Sequence, residues 1–268
     1  MAKLKSLENK VVWITGASSG LGKALARECA LQGAQVVLTS RRYDELESVR
    51  VGLLKPEQHL SIAADITDEA QVRHAHEQVL ATKGRIDWLI NNAGLSQRAL
   101  IEETSMHTER AIMEVDYFSQ VFFTKTVLPT LRKQKSGRVV FISSVAGLLG
   151  TQYRATYSAA KAAIHMWANS LRAEVAEEGI AVSVVFPGFV KTNVSFNALN
   201  GEGKPQGHQD EAIENGLDAD VFAQRVVEAL MAGEEYVVVG GKKEQLGVLV
   251  SRLSPSLLYK MIRKTKVK

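Results

Sequence analysis

Seven short apolar runs, rich in β-branched residues, alternate with stretches of helical periodicity, and no other feature constrains the fold of this chain as tightly. The runs predict strands over 11–15, 35–39, 60–64, 86–90, 137–142, 181–186 and 236–239. Between them the periodicity predicts helices over 20–32, 44–53, 68–82 (with Asp68 as N-cap), 113–133 and 155–178. Strands that are apolar almost throughout must be covered on both faces, which requires a parallel sheet with helices on either side. The expected fold is therefore α/β: a single doubly wound domain over 1–252, with a parallel sheet of about seven strands. One irregular stretch, 189–215, is rich in Gly, Asn and charge. It follows the C-terminal end of the sixth strand, where open α/β sheets bind ligands, and is the expected substrate loop.

Composition removes several alternatives. With 46% hydrophobic residues over 268 positions, the chain can bury a large core and does not have the composition of a disordered segment. Its single cysteine, Cys29, excludes a disulfide framework and suggests a reducing compartment. The first ten residues hold no apolar leader, and no apolar run reaches the roughly 18 residues of a membrane span, so a cytoplasmic location is expected. The net charge of +4 is concentrated at one end, where Lys260, Arg263, Lys264, Lys266 and Lys268 stand without an acid. A basic extension over 253–268 is expected, and no nucleic-acid partner. The apolar and basic mixture over 253–264 is read as a terminal helix packed on the body or on a partner subunit. A weak membrane-surface contact is the alternative, disfavoured by the segment's shortness and by Pro255.

The first strand runs directly into Thr15-Gly16-Ala17-Ser18-Ser19-Gly20-Leu21-Gly22, which opens the first helix. Glycines permit a tight turn and close approach of backbone, and a helix N-terminus offers unpaired N–H groups to phosphate. The spacing is Gly-x-x-x-Gly-x-Gly rather than Gly-x-Gly-x-x-Gly, and a purely structural turn is the competing reading. Its place between strand and helix favours a dinucleotide, with Gly16, Ser18, Ser19, Gly20, Leu21 and Gly22 as candidate contacts. The second strand ends in Thr39-Ser40-Arg41-Arg42, without the carboxylate that would bind a ribose 2′-hydroxyl. Guanidinium forks suit a phosphate monoester, so NADP(H) is expected over NAD(H), with Ser40, Arg41 and Arg42 at the 2′-phosphate; solvated loop charges are the alternative.

Tyr157-Ser-Ala-Ala-Lys161 begins the long helix after the fifth strand. Residues four apart share a helix face, and an ammonium beside a phenol favours tyrosinate, giving a usable general acid–base. Upstream, Ser144 stands at the end of the fifth strand, where it can hydrogen-bond a substrate carbonyl.

With these motifs in order, the chain resembles a classical short-chain dehydrogenase/reductase, a Rossmann-type family, from about residue 7 to residue 239. The resemblance rests on 15–22, Asp65-Ile66, Asn91-Asn92-Ala93-Gly94, Ser144, Tyr157 with Lys161, and Pro187-Gly188-Phe189-Val190-Lys191-Thr192. It implies that Asp65 and Ile66 flank the adenine, that Asn92, Ala93 and Gly94 line the ribose side, and that Pro187, Gly188, Val190 and Thr192 hold the nicotinamide end. It further implies hydride transfer between the nicotinamide and a carbonyl or secondary alcohol. Tyr157 would exchange the proton, Lys161 would bind the nicotinamide ribose and tune Tyr157, and Ser144 would orient the carbonyl oxygen. The family's fourth catalytic position, an asparagine, is Asp116 here, expected near Lys161 across a water. Family members pair through the two long helices after the fourth and fifth strands, so a homodimer or homotetramer is expected.

The expected substrate is a small to medium, partly apolar carbonyl or alcohol. The rival reading is a catalytically weak dinucleotide-binding sensor or scaffold, which only Asp116 supports. No metal site is expected, because His74 and His76, two apart on a helix, point to different faces. Met106, Met113 and Met166 are expected in the core or a pocket wall, and Trp13, Trp88 and Trp167 in the core.

Overall fold

The computed structural model describes residues 4–263; Lys264, Lys266 and Lys268 of the basic tail lie outside the described residues. The strands are β1 (Val11–Thr15), β2 (Gln35–Ser40), β3 (Leu60–Ala63), β4 (Trp88–Asn91), β5 (Gly137–Ile142), β6 (Ile180–Pro187) and β7 (Tyr236–Val239). They form one sheet in the order β3-β2-β1-β4-β5-β6-β7, every pair parallel. This is the doubly wound architecture that the apolar runs predict.

Alternation along each strand divides its apolar residues between two cores. Val12, Ile14, Val36 and Leu38 face α1 (Gly20–Leu31), α2 (Tyr43–Val51) and α8 (Ala219–Met231), packing with Leu25, Leu46 and Phe222. Val11, Trp13, Val37 and Phe141 face α3 (Glu69–Lys83), α5 (Ser119–Gln134) and α6 (Ala155–Glu174), packing with Val72, Phe123 and Ile164. Strand order reverses between β1 and β4, which opens a crevice at their carboxyl ends. Asp68 caps α3 as predicted, accepting from the N–H groups of Ala70 and Gln71.

Three local expectations need correction. The helix expected over 113–133 begins earlier, as α4 (Met106–Met113), where the Ser105 hydroxyl accepts from the Thr108 N–H at 3.2 Å. It then passes through a π-helical turn, Glu114–Phe118, before continuing as α5. The extra residue of a π turn leaves no mark on apolar periodicity, and this turn carries Asp116. Met106 and Met166 are 61% and 55% exposed, because α4 and α6 turn Ile112, Ile164 and Ala168 inward instead. Finally, α9 (Lys242–Leu253) and α10 (Pro255–Ile262) follow one another directly. Pro255 does not break a helix but starts one, in the first turn where its missing N–H costs nothing. Among the described residues no helix is long and apolar enough to cross a membrane.

The 189–215 stretch is irregular apart from α7 (Glu211–Glu214). Bridges pair Leu199 with Gln97 and Val190 with Leu217, tying the stretch to the loop after β4 and to the segment before α8.

Candidate active site

The carboxyl end of β1 leads to Gly16, whose φ is +66° and where a Cβ would lie 2.8 Å from the Ala93 Cα. No other residue fits that turn against β4. Thr15 Oγ1 accepts from the N–H groups of Asn92 and Ala93 at 3.0 and 3.1 Å, and the Asn92 side chain donates to the Thr15 carbonyl at 2.9 Å. Asn92 and Ala93 thus hold the glycine turn in place. Ser19, the N-cap of α1, makes no side-chain capping bond, so the first N–H groups of the helix, at Gly20, Leu21 and Gly22, lack that partner. Thr192 stands 3.5 Å from where a Cβ on Gly20 would be, so the 187–192 segment abuts the turn. Val190 is buried and its side chain belongs to the core, which leaves only its backbone for a ligand.

At the end of β2, Arg42 is ion-paired with Glu45 at 2.7 Å. Arg41 is exposed and has no ion-pair or hydrogen-bond partner among the described residues. Asp65 accepts from the N–H and hydroxyl of Thr67 at 2.9 and 2.8 Å, which shapes the turn after β3, and Ile66 is buried beside it. A helix N-terminus without a side-chain cap, a turn with glycine at 16, 20 and 22, and an unpaired guanidinium fit the phosphates of a dinucleotide.

Ser144 lies two residues past β5 and caps a tight turn, Val145–Gly147, accepting from the Ala146 N–H at 3.1 Å, so its own O–H stays available to donate. The neighbouring Ser143 hydroxyl donates to the Lys161 carbonyl at 2.9 Å and fastens this end of β5 to α6. Lys161 Nζ is 5.7 Å from the centre of the Tyr157 ring and donates to the Ile142 carbonyl at 3.2 Å. It also lies 3.7 Å from Asp116 Oδ2, an ion pair in direct contact rather than across the expected water. Gly94 makes this possible: a Cβ there would sit 3.0 Å from Asp116 Oδ1 and 3.1 Å from Lys161 Nζ. Asp116 is wholly buried; Oδ1 accepts from the Leu95 N–H at 2.7 Å and Oδ2 has no hydrogen bond. Burial pushes the carboxyl up from 3.8 to about 6, against the opposing pull of Lys161 and the bond from Leu95.

Two features of the site went unseen in the sequence. Gln97, fully buried, accepts with Oε1 from the N–H groups of Thr156 and Tyr157 at 2.9 and 3.2 Å and so caps α6 at the tyrosine. Its amide donates to Thr104 Oγ1 at 3.0 Å. Next to it, Asp210 of the irregular stretch is buried between Arg98, at 2.6 Å, and Arg154, at 3.3 Å. Burial alone would raise Asp210, but bonds from Arg98 and Gln206 and the charge of both arginines hold it below the usual carboxylate range. Arg154, the N-cap residue of α6, is lowered to about 10 by burial and by Arg98.

Comparison with known proteins identifies the family to which this fold belongs. The family model for short chain dehydrogenases matches residues 10–202. A Drosophila melanogaster protein described as dehydrogenase/reductase SDR family protein 7-like is 38% identical over 98% of this chain and 82% of its own length. A crystal structure of a short-chain dehydrogenase from Streptomyces avermitilis superposes with a TM-score of 0.81 at 32% identity, covering 96% of this chain and 98% of that one. A Burkholderia phymatum short-chain dehydrogenase/reductase solved with NAD shares the fold at a TM-score of 0.81 and 23% identity, over 99% of both chains. The chain belongs to the short-chain dehydrogenase/reductase family. It is thus an oxidoreductase of a family that binds nicotinamide dinucleotides.

Proposed function

We propose that this chain is an NADP(H)-preferring oxidoreductase acting on a carbonyl or secondary alcohol of a small to medium, partly apolar substrate. The observation that carries the reading is Lys161, fixed by the Ile142 carbonyl with its ammonium beside the Tyr157 ring, on a helix that Gln97 caps at the tyrosine itself. When bound, the dinucleotide supplies or accepts the hydride. Tyr157 then gives its phenolic proton to the carbonyl oxygen in reduction, or takes the hydroxyl proton in oxidation, and the Lys161 ammonium stabilises the phenolate. Ser144 donates its hydroxyl to the same oxygen. Gly16, Ser18, Ser19, Gly20, Leu21 and Gly22 would hold the pyrophosphate, Arg41 the 2′-phosphate, and 187–192 the nicotinamide end.

The domain spans 1–252, with 189–215 as its substrate loop. A second copy packing on α5 and α6, as the family resemblance implies, would cover the exposed Met166 of α6 and Phe118 just before α5.

The test is turnover of a carbonyl panel with NADPH and with NADH, together with cofactor titrations. NADPH should bind at least about tenfold more tightly, since a lost charged hydrogen bond costs about 1.5–3 kcal/mol, and Arg41→Ala should erode that preference. Equal affinities in the wild type would end the NADP(H) assignment. NADPH binding with no turnover across the panel would favour a sensor or scaffold.

A further inference from the structure

α9 and α10 show solvent the residues that a surface helix ordinarily turns inward. On α9, Gly247 and Val248 are buried, Gly247 against Leu149, while Leu246, Leu249 and Leu253 are 53%, 53% and 76% exposed. Their spacing of three and four residues places these leucines on one outward stripe. On α10 only Leu258 is buried, and Leu257 and Tyr259 are exposed. The rim of this patch is cationic, with Lys242, Lys243, Lys260 and Arg263 exposed, while Arg252 stacks over the Tyr236 ring at 4.3 Å. The one acid in the two helices, Glu244, is half-buried and accepts from the Phe189 N–H at 3.3 Å.

We propose that the α9–α10 face docks on an anionic lipid bilayer, its apolar side chains entering the boundary between headgroups and acyl chains and its cations meeting lipid phosphates. A second copy of the chain suits the patch less well. A two-fold contact would bring the same cations face to face, with no exposed carboxylate on either helix to answer them. Because neither helix can cross a membrane, the contact is interfacial. The same helices wall a groove of about 590 Å³ through Ser251, Pro255, Leu258 and Tyr259. Its other wall, Leu148 and Gly150, follows Ser144 in the chain, so a docked protein holds that loop close to the lipid.

The experiment is sedimentation of the full chain with vesicles of phosphatidylcholine alone, or of phosphatidylcholine mixed with phosphatidylglycerol, with light scattering to follow oligomeric state. Two variants are compared, Leu246→Ser/Leu249→Ser/Leu253→Ser and Lys260→Glu/Arg263→Glu. The wild type should bind the anionic vesicles at least about tenfold more tightly than the neutral ones, and each variant should lose at least about tenfold of that binding. NADPH affinity should be unchanged in both, which shows that they are folded; should the serine variant fail to fold, the charge-reversed one decides. No binding to anionic vesicles, or binding that ignores both lipid charge and the charge reversal, overturns the proposal. So does dissociation of an oligomer by the serine substitutions without any lipid binding in the wild type, which would assign the patch to a second copy.

Discussion

Asp116 and Asp210 are both buried beside cations, yet they respond in opposite directions. Asp116 meets one ammonium at 3.7 Å and one backbone N–H, and its second oxygen has no hydrogen bond. Asp210 meets two guanidinium groups, at 2.6 and 3.3 Å, and the Gln206 amide at 3.0 Å. Burial penalises both carboxylates, so the number and geometry of the donors decide the outcome. The well-bonded carboxylate anchors the 189–215 stretch to the loop after β4 and to the N-cap of α6. The under-bonded one sits against Lys161, and burial pushes its carboxyl up to about 6.

The largest effect should come from breaking the anchor. Asp210→Ala strands two buried guanidinium groups and should cost about 3–5 kcal/mol in urea unfolding, with hydrogen exchange rising first over 189–215. A cost below about 1 kcal/mol would mean that the arginines find water or other partners, and the contrast would fail.

The next effect is one of pH. Asp116 holds its proton more tightly folded than unfolded, so its contribution to stability is greatest below about pH 4 and falls as pH rises through about 6. The rise from 3.8 to about 6 corresponds to about 3 kcal/mol lost by neutral pH, and Asp116→Asn should flatten this part of the stability profile. Asp210 has the opposite sign, contributing stability at neutral pH that is lost on acidification. The same substitution has a kinetic reading. Ionised Asp116 offsets the field of Lys161 at Tyr157, so the alkaline limb of kcat/KM for reduction should move to lower pH in Asp116→Asn. Parallel stability profiles for wild type and variant, with an unmoved limb, would place Asp116 outside both roles.

The smallest effect concerns the cap between the two clusters. Gln97→Leu removes the acceptor for Thr156 and Tyr157 and should cost about 1–2 kcal/mol, lowering kcat more than it raises KM. Gln97→Glu keeps an acceptor oxygen and should restore much of kcat. A loss of kcat shared equally by Leu and Glu would deny Gln97 this positioning role.

What the sequence revealed and what it hid differ in range. Val11, Trp13 and Val37 declare a two-faced parallel strand because alternation acts between adjacent residues, and the glycines of 15–22 and the Tyr157/Lys161 spacing are equally local. The Asp210 anchor joins residues 56 and 112 positions apart, and Gln97 reaches Thr156 across 59, separations at which no local pattern exists. Asp116 was legible as a departure from the family's asparagine. Its direct contact with Lys161 depends on Gly94 and on the π turn, and neither follows from periodicity. The start of α10 at Pro255 was hidden for a related reason: a proline that ends one helix and one that begins the next look alike until the cap at Ser254 is seen.

In the proposed function Tyr157 carries the proton of a nicotinamide-dependent reduction. The most direct test is the single-turnover rate of NADPH oxidation by Tyr157→Phe at saturating carbonyl substrate, with NADPH affinity measured on the same protein. Affinity should be unchanged and the rate about 100- to 10,000-fold below wild type. A rate within a few-fold of wild type, with the cofactor bound as tightly, would contradict this role of Tyr157.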